Sequence, residues 1–171
     1  MMYECMMYRC MKYRKLILSI VFILVGTAVW AMSPIEAFLQ MPDALLPFLS
    51  NEQRNMIGNE LVVATRENDT TVLQPVTNRF GTTSLPLELT DKTLRIQITE
   101  GVEYDWLIEG DKIILVQTVC APQCASVVSE YDQTWQWVRE IKPTVEGVFV
   151  RAYIERDCLR WKEETSWEEV Y

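Results

Sequence analysis

The chain contains no histidine. That excludes a Ser-His-Asp or Cys-His nucleophile pair and the usual zinc sites built on imidazole. Any catalysis would fall to carboxylates, a lysine or a thiol. Internal repeats and low-complexity tracts are also missing, so no repeat array can form. The one long apolar run, Leu16–Val29, is shorter than the roughly 20 residues of a membrane-spanning helix. No lipobox-like cysteine follows it, so nothing supports lipidation. The acidic side chains match no EF-hand spacing. The paired cysteines are one residue further apart than a thioredoxin-type motif.

What is present begins with an export signal. Lys12, Arg14 and Lys15 precede the apolar run, and Val29-Trp30-Ala31 places small residues where a signal peptidase reads them. Residues 1–31 are therefore expected to be a cleaved signal peptide. Met11 is a more natural start than Met1, so residues 1–10 read as an over-long start. An uncleaved anchor is the other reading. Residues 32–155 are expected as one domain, and residues 156–171 as a charged helix or tail.

The full chain of 171 residues carries a net charge of −8. Loss of residues 1–31 removes Arg9, Lys12, Arg14, Lys15 and Glu4, leaving 12 basic and 23 acidic side chains and a net charge of −11. Repulsion then opposes nucleic acid and anionic lipid. No nucleic-acid partner is expected, and membrane contact only through the leader before cleavage.

Leu85–Val119 organises the rest. Leu85, Leu87 and Leu89 alternate with other residues; Leu94, Ile96 and Ile98 alternate with Arg95, Gln97 and Thr99; Val102, Tyr104, Trp106 and Ile108 alternate with Glu103, Asp105 and Leu107. Ile113–Val116 is a fuller apolar run. A period of two places one set on each face of a strand. Thr90-Asp91-Lys92, Glu100-Gly101 and Glu109-Gly110-Asp111-Lys112 supply the turns. This predicts a four-strand meander with one apolar face, and that face must be covered.

The cover is expected from the segment after the leader. Ser33 caps a helix with Pro34 in its first turn, and Ile35, Phe38, Leu39 and Met41 share its face. Pro42 breaks it. Ala44–Leu49 is a second short apolar piece. Ser50 caps a third helical turn that Gly58-Asn59 should stop. Glu60–Thr65 reads equally as helix or strand. Val72–Val76 is a candidate edge strand carrying Pro75. Ser126–Tyr131 and Thr134–Val138 are weaker strand candidates, and Val148–Ile154 is expected as the final strand.

Met41-Pro42-Asp43, Leu45-Leu46-Pro47 and Phe48-Leu49, soon after an export signal, resemble a family of secreted proteins of unknown function from gut Bacteroidales. The resemblance continues at Gln117–Pro122 and Tyr131–Trp135 and spans most of the mature chain, but not the part beyond about Gln136. It implies a Gram-negative cell envelope and a helix-plus-meander domain. It implies no activity.

Candidate sites are few. Cys120 and Cys124 flank Pro122 and would meet an oxidising compartment after export. A turn there can close a disulfide that clips the end of the preceding strand; a redox-active pair is the alternative. Cys158 is left over, and Cys5 and Cys10 leave with the leader. Glu103 and Asp105 share a strand face. They read as a solvated polar surface, since an acid–base pair would need a cleft and a raised pKa. Trp106 belongs to the core set. Trp135 and Trp137, at strand spacing, are the candidate ligand- or partner-binding pair. Asp69-Thr70-Thr71 resembles the O-glycosylation signal of exported Bacteroidetes proteins, with Thr70 as acceptor. No metal site, no cofactor and no catalytic residue are expected.

The expectation is an α+β protein, with short N-terminal helices packed on one face of a mostly antiparallel meander sheet of five to seven strands. The function expected is a periplasmic or secreted, non-catalytic binding module for a protein or glycan of the cell envelope. The alternatives are an envelope enzyme or thiol-redox protein using Cys120 and Cys124, and a glycan-binding module.

Overall fold

The structure, a computed structural model, describes residues 32–67 and 73–164. The expected leader, Cys5, Cys10, Thr70 and Trp167 lie outside the described residues.

Helix α1 (Pro34–Gln40) starts as its sequence dictates. Ser33 Oγ accepts from the Glu36 amide at 3.1 Å, and Glu36 returns a carboxylate to the Ser33 amide at 2.8 Å. This reciprocal cap satisfies two donors that the first turn leaves open. Ser50 and Gln53 repeat it for α2 (Asn51–Glu67). The expected stop at Gly58 does not occur. The helix runs through it, and the ambiguous Glu60–Thr65 is helical. A β-carbon at Gly58 would lie 2.8 Å from Leu39 Cδ2, so glycine here lets α2 approach α1. Ala44–Leu49 forms turns rather than a helix, with Leu46 and Leu49 fully buried. Arg54, buried, donates to the Met41 carbonyl and to Asp43 and Asn51. The Met-Pro-Asp segment is thereby pinned to α2.

The main sheet has seven antiparallel strands in sequence order: β1 (Val76–Thr77), β2 (Thr83–Leu89), β3 (Thr93–Thr99), β4 (Val102–Glu109), β5 (Lys112–Cys120), β6 (Cys124–Asp132) and β7 (Trp137–Glu140). The α+β meander is as expected. Leu94, Ile96, Ile98, Trp106, Ile113 and Leu115 are fully buried beneath Phe38, Leu46, Leu49, Ile57 and Leu61. The Phe38 and Trp106 rings meet edge-on at 5.4 Å.

In β2 the expected phase is wrong. Ser84 and Pro86 are buried and Leu87 is exposed. A bulge between Pro86 and Glu88 then returns Leu89 to the core. One extra residue in a strand reverses which face the following side chains take.

The second face of the sheet is not simply wet. Strands β8 (Val150–Glu155) and β9 (Cys158–Glu163) form a separate hairpin. Ala152, Ile154, Leu159 and Trp161 pack over Leu107, Ile114, Val116 and Val128. The expectation of one apolar face therefore fails for β4 and β5, which are buried on both sides. The segment expected as a charged helix or tail is a strand over Cys158–Glu163. Its alternating Leu159 and Trp161 find a second, smaller core there. Val148–Ile154 contributes a strand, but not the last.

Candidate functional site

Cross-strand partners in an antiparallel sheet present their side chains on the same face. The registers therefore write the second face as transverse rows. One row is Leu85, Gln97, Glu103, Thr118 and Ser126. The next is Glu88, Arg95, Asp105, Val116 and Val128. On β3 and β4 both rows are polar, and toward β6 the second becomes apolar. The hairpin covers that apolar end and crosses the sheet. Ala152 N donates to Ser126 Oγ at 2.9 Å, and Ser126 shares a hydrogen bond with Thr118 at 2.7 Å. Arg151 reaches Glu103 at 3.0 Å. Arg95 Nη2 approaches the Ile154 carbonyl at 3.5 Å.

Between the hairpin and the polar rows lies a cleft of about 420 Å³, lined by Arg95, Glu103, Asp105 and Arg151 with β8 and Lys162. Asp105 is 3% exposed. Burial pushes its carboxyl up, and Arg95 beside it pulls in the other direction without cancelling the effect. Arg95 donates from Nε to Asp105 at 2.5 Å and pairs with Glu88 at 3.2 Å. Burial draws the Arg95 guanidinium down, and the charge and hydrogen bond of Asp105, with Glu88 and Glu103, more than offset it. Lys162 is engaged by Glu164 at 2.9 Å. A second hollow, of about 510 Å³, lies where Leu85, Gln97 and Thr99 meet Thr82 and Gly101. Gln97 faces Glu103 across β3 and β4, so the two hollows adjoin along one row.

Sequence reasoning placed Glu103 and Asp105 on one face but took both as solvated. Asp105 is buried because the hairpin roofs it, and nothing local in the sequence announces that roof. Turn length alone would not have found Arg95. The two-residue connection pairs Thr99 with Val102 and by itself would set Arg95 opposite Trp106; the irregularity between Gln97 and Thr99 moves it onto Asp105.

The other expected site residues are placed as follows. Cys120 and Cys124 are bonded and are the last partners of the β5–β6 ladder. Cys158 is free and exposed on β9. Trp135 and Trp137 do not share a face. Trp135 sits in the turn before β7 at φ 61°, buried against Tyr131 at 5.2 Å. Trp137 opens β7 and is 62% exposed. The turn is fixed by Asp132 Oδ1, which accepts from the Thr134 amide, the Thr134 hydroxyl and the Gln136 amide. The strand spacing of the two tryptophans is therefore accidental. Among the described residues no group of three or more acidic or thiol side chains could hold a metal, and no helix is long and apolar enough to cross a membrane.

Residues 27–164 match a family model described as a protein of unknown function, DUF3256. The chain belongs to that family. No curated protein matches the chain. Among solved structures, it is similar to a domain of an uncharacterized protein from Porphyromonas gingivalis W83. The two share 24% identity over 60% of this chain and 53% of that one, with a TM-score of 0.47. The chain thus spans about half the length of that structure.

Proposed function

We propose that this DUF3256 member is a non-catalytic binding module of the periplasm or cell surface, and that it binds a protein or glycan through the cleft under β8. The supporting observation is the cleft itself: about 420 Å³, with its charged groups already paired as Arg95–Asp105 and Arg151–Glu103. Sites of this size with a few fixed polar groups suit ligand binding. Asp105 has the cleft and the raised carboxyl that acid–base work needs, but Glu103, its neighbour on that face, is tied to Arg151, so the two do not form a free acid–base pair. The leader argues for export.

The test is calorimetric titration of the mature protein with envelope polysaccharides and with synthetic peptides, in wild type and in Arg151→Ala. Binding lost in the variant supports the cleft. Turnover in a broad hydrolase screen, abolished by Asp105→Asn, overturns the non-catalytic reading. An insulin-reduction assay should find Cys120–Cys124 inert. A reporter fused after residue 31 should be exported.

A further inference from the structure

The hairpin β8–β9 has one edge that β9 does not use. Its turn, Arg156-Asp157, takes positive φ at both residues, 50° and 58°, the backbone of a type I′ connection. Such a turn makes its flanking residues, Glu155 and Cys158, a hydrogen-bonded pair. Down the register, Tyr153–Arg160 and Arg151–Lys162 are bonded pairs too. The amides and carbonyls of Ala152 and Ile154 therefore point away from β9. Two of these four groups are met by side chains: Ala152 N by Ser126 Oγ, and the Ile154 carbonyl by Arg95, at 3.5 Å. The Ala152 carbonyl and the Ile154 amide have no partner among the described residues.

These two groups belong to a strand that lines the cleft. They flank Tyr153, which is the arrangement one residue of a parallel strand takes up. Its N–H donates to the carbonyl before Tyr153, and its carbonyl accepts from the amide after it. Among the sheet residues that line the cleft is Glu103, whose cross-strand row continues through Gln97. The same row leads into the second hollow, so an extended chain has a continuous path across the sheet. The charge left over has one sign. Arg95, Arg151 and Lys162 are each paired with a carboxylate, whereas Glu155, also lining the cleft, has no ion-pair partner among the described residues. The chain as a whole is acidic.

We infer that the occupant of the cleft is an extended peptide segment carrying a basic side chain, added as a third strand parallel to β8. The inference rests on the cleft being the binding site. Main-chain pairing supplies affinity in this mode, and the flanking side chains select the sequence. One peptide residue bridges the Ala152 carbonyl and the Ile154 amide, and a neighbouring Lys or Arg meets Glu155.

The probe is a set of acetylated, amidated hexapeptides of randomised sequence with one fixed Lys, beside a matched set with Glu. The Lys set should bind wild type, and the Glu set more weakly. N-methylation walked along a retained peptide should weaken binding at one residue, the one whose N–H meets the Ala152 carbonyl, by roughly five- to tenfold, the loss expected for one hydrogen bond. Ile154→Pro should lower affinity to a similar extent while keeping the hairpin, because that amide does not face β9; Ile154→Val should retain it. Should Ile154→Pro unfold, the N-methyl scan and slowed exchange of the Ile154 amide on peptide binding carry the same test. Peptide binding lost in Arg151→Ala but indifferent to N-methylation overturns strand addition and leaves the cleft as the site. Binding of polysaccharide alone, lost in Arg151→Ala, overturns the peptide and again leaves the cleft. No binding that Arg151→Ala alters overturns both.

Discussion

Arg95 and Asp105 face each other across β3 and β4 on the roofed side of the sheet, with Nε 2.5 Å from Oδ1. The pair is unequal. Asp105 is almost wholly buried, while Arg95 keeps about a quarter of its side chain in solvent, beside Glu88.

Arg95→Ala would leave Asp105 charged, buried and unpaired. Breaking a buried pair costs about 3–5 kcal/mol, and the partial exposure of Arg95 places this case near about 3. The pH dependence has a definite sign. The folded Asp105 carboxyl is already raised, so the native state holds that proton more tightly than the unfolded chain. The stability deficit of the variant should therefore shrink as pH falls through the folded value toward the unfolded ~3.9. Urea unfolding of variant and wild type at pH 7 and pH 5 checks this; a deficit that grows on acidification contradicts it.

Glu130 has the opposite sign. It is buried between Lys112 and Arg139, at 2.8 Å from each, and their hydrogen bonds hold its carboxyl below the usual range. Its contribution is present above the unfolded value of ~4.3 and is lost as pH falls through the folded value. Asp132, held low by Thr134 and Gln136, adds in the same direction. Glu130→Gln should lower the thermal midpoint at pH 7 and flatten its fall below about pH 4.3.

Phe38→Ala should cost about 3–5 kcal/mol, since it empties a fully buried site against Trp106. Trp106 emission should shift red in the variant if the N-terminal roof loosens. A loss below about 1 kcal/mol would mean that the helices contribute little to the core.

The two tryptophans should separate cleanly. Trp135→Ala is expected to cost about 3–5 kcal/mol, from its burial beside Tyr131. Trp137→Ala should fall within about 0.5 kcal/mol of wild type. Chemical denaturation of both resolves the difference. Equal losses would return the pair to a shared environment.

Much of the sheet was legible because alternation is a local signal. Leu94, Ile96, Ile98, Tyr104 and Trp106 read as one face from their spacing alone, and two-residue connections such as Gly110-Asp111 fix the register between neighbours. The caps at Ser33 and Ser50 were equally local. Gly58 misled because a helix stop and a close helix crossing ask for the same residue; only the position of Leu39 distinguishes them. Trp135 misled because Asp132 gathers three hydrogen bonds into a turn where the spacing suggested a strand.

The sequence by itself determined the meander, the identity of its first core and the helices that roof it, since each depends on residues a few positions apart. Only the tertiary structure decided that the chain after β7 returns to the sheet's second face. That return buries Asp105, pairs Arg151 with Glu103 across 48 positions and opens a cleft beside a free strand edge. Such contacts join segments with no local relation, and their register is set by where a whole hairpin comes to rest.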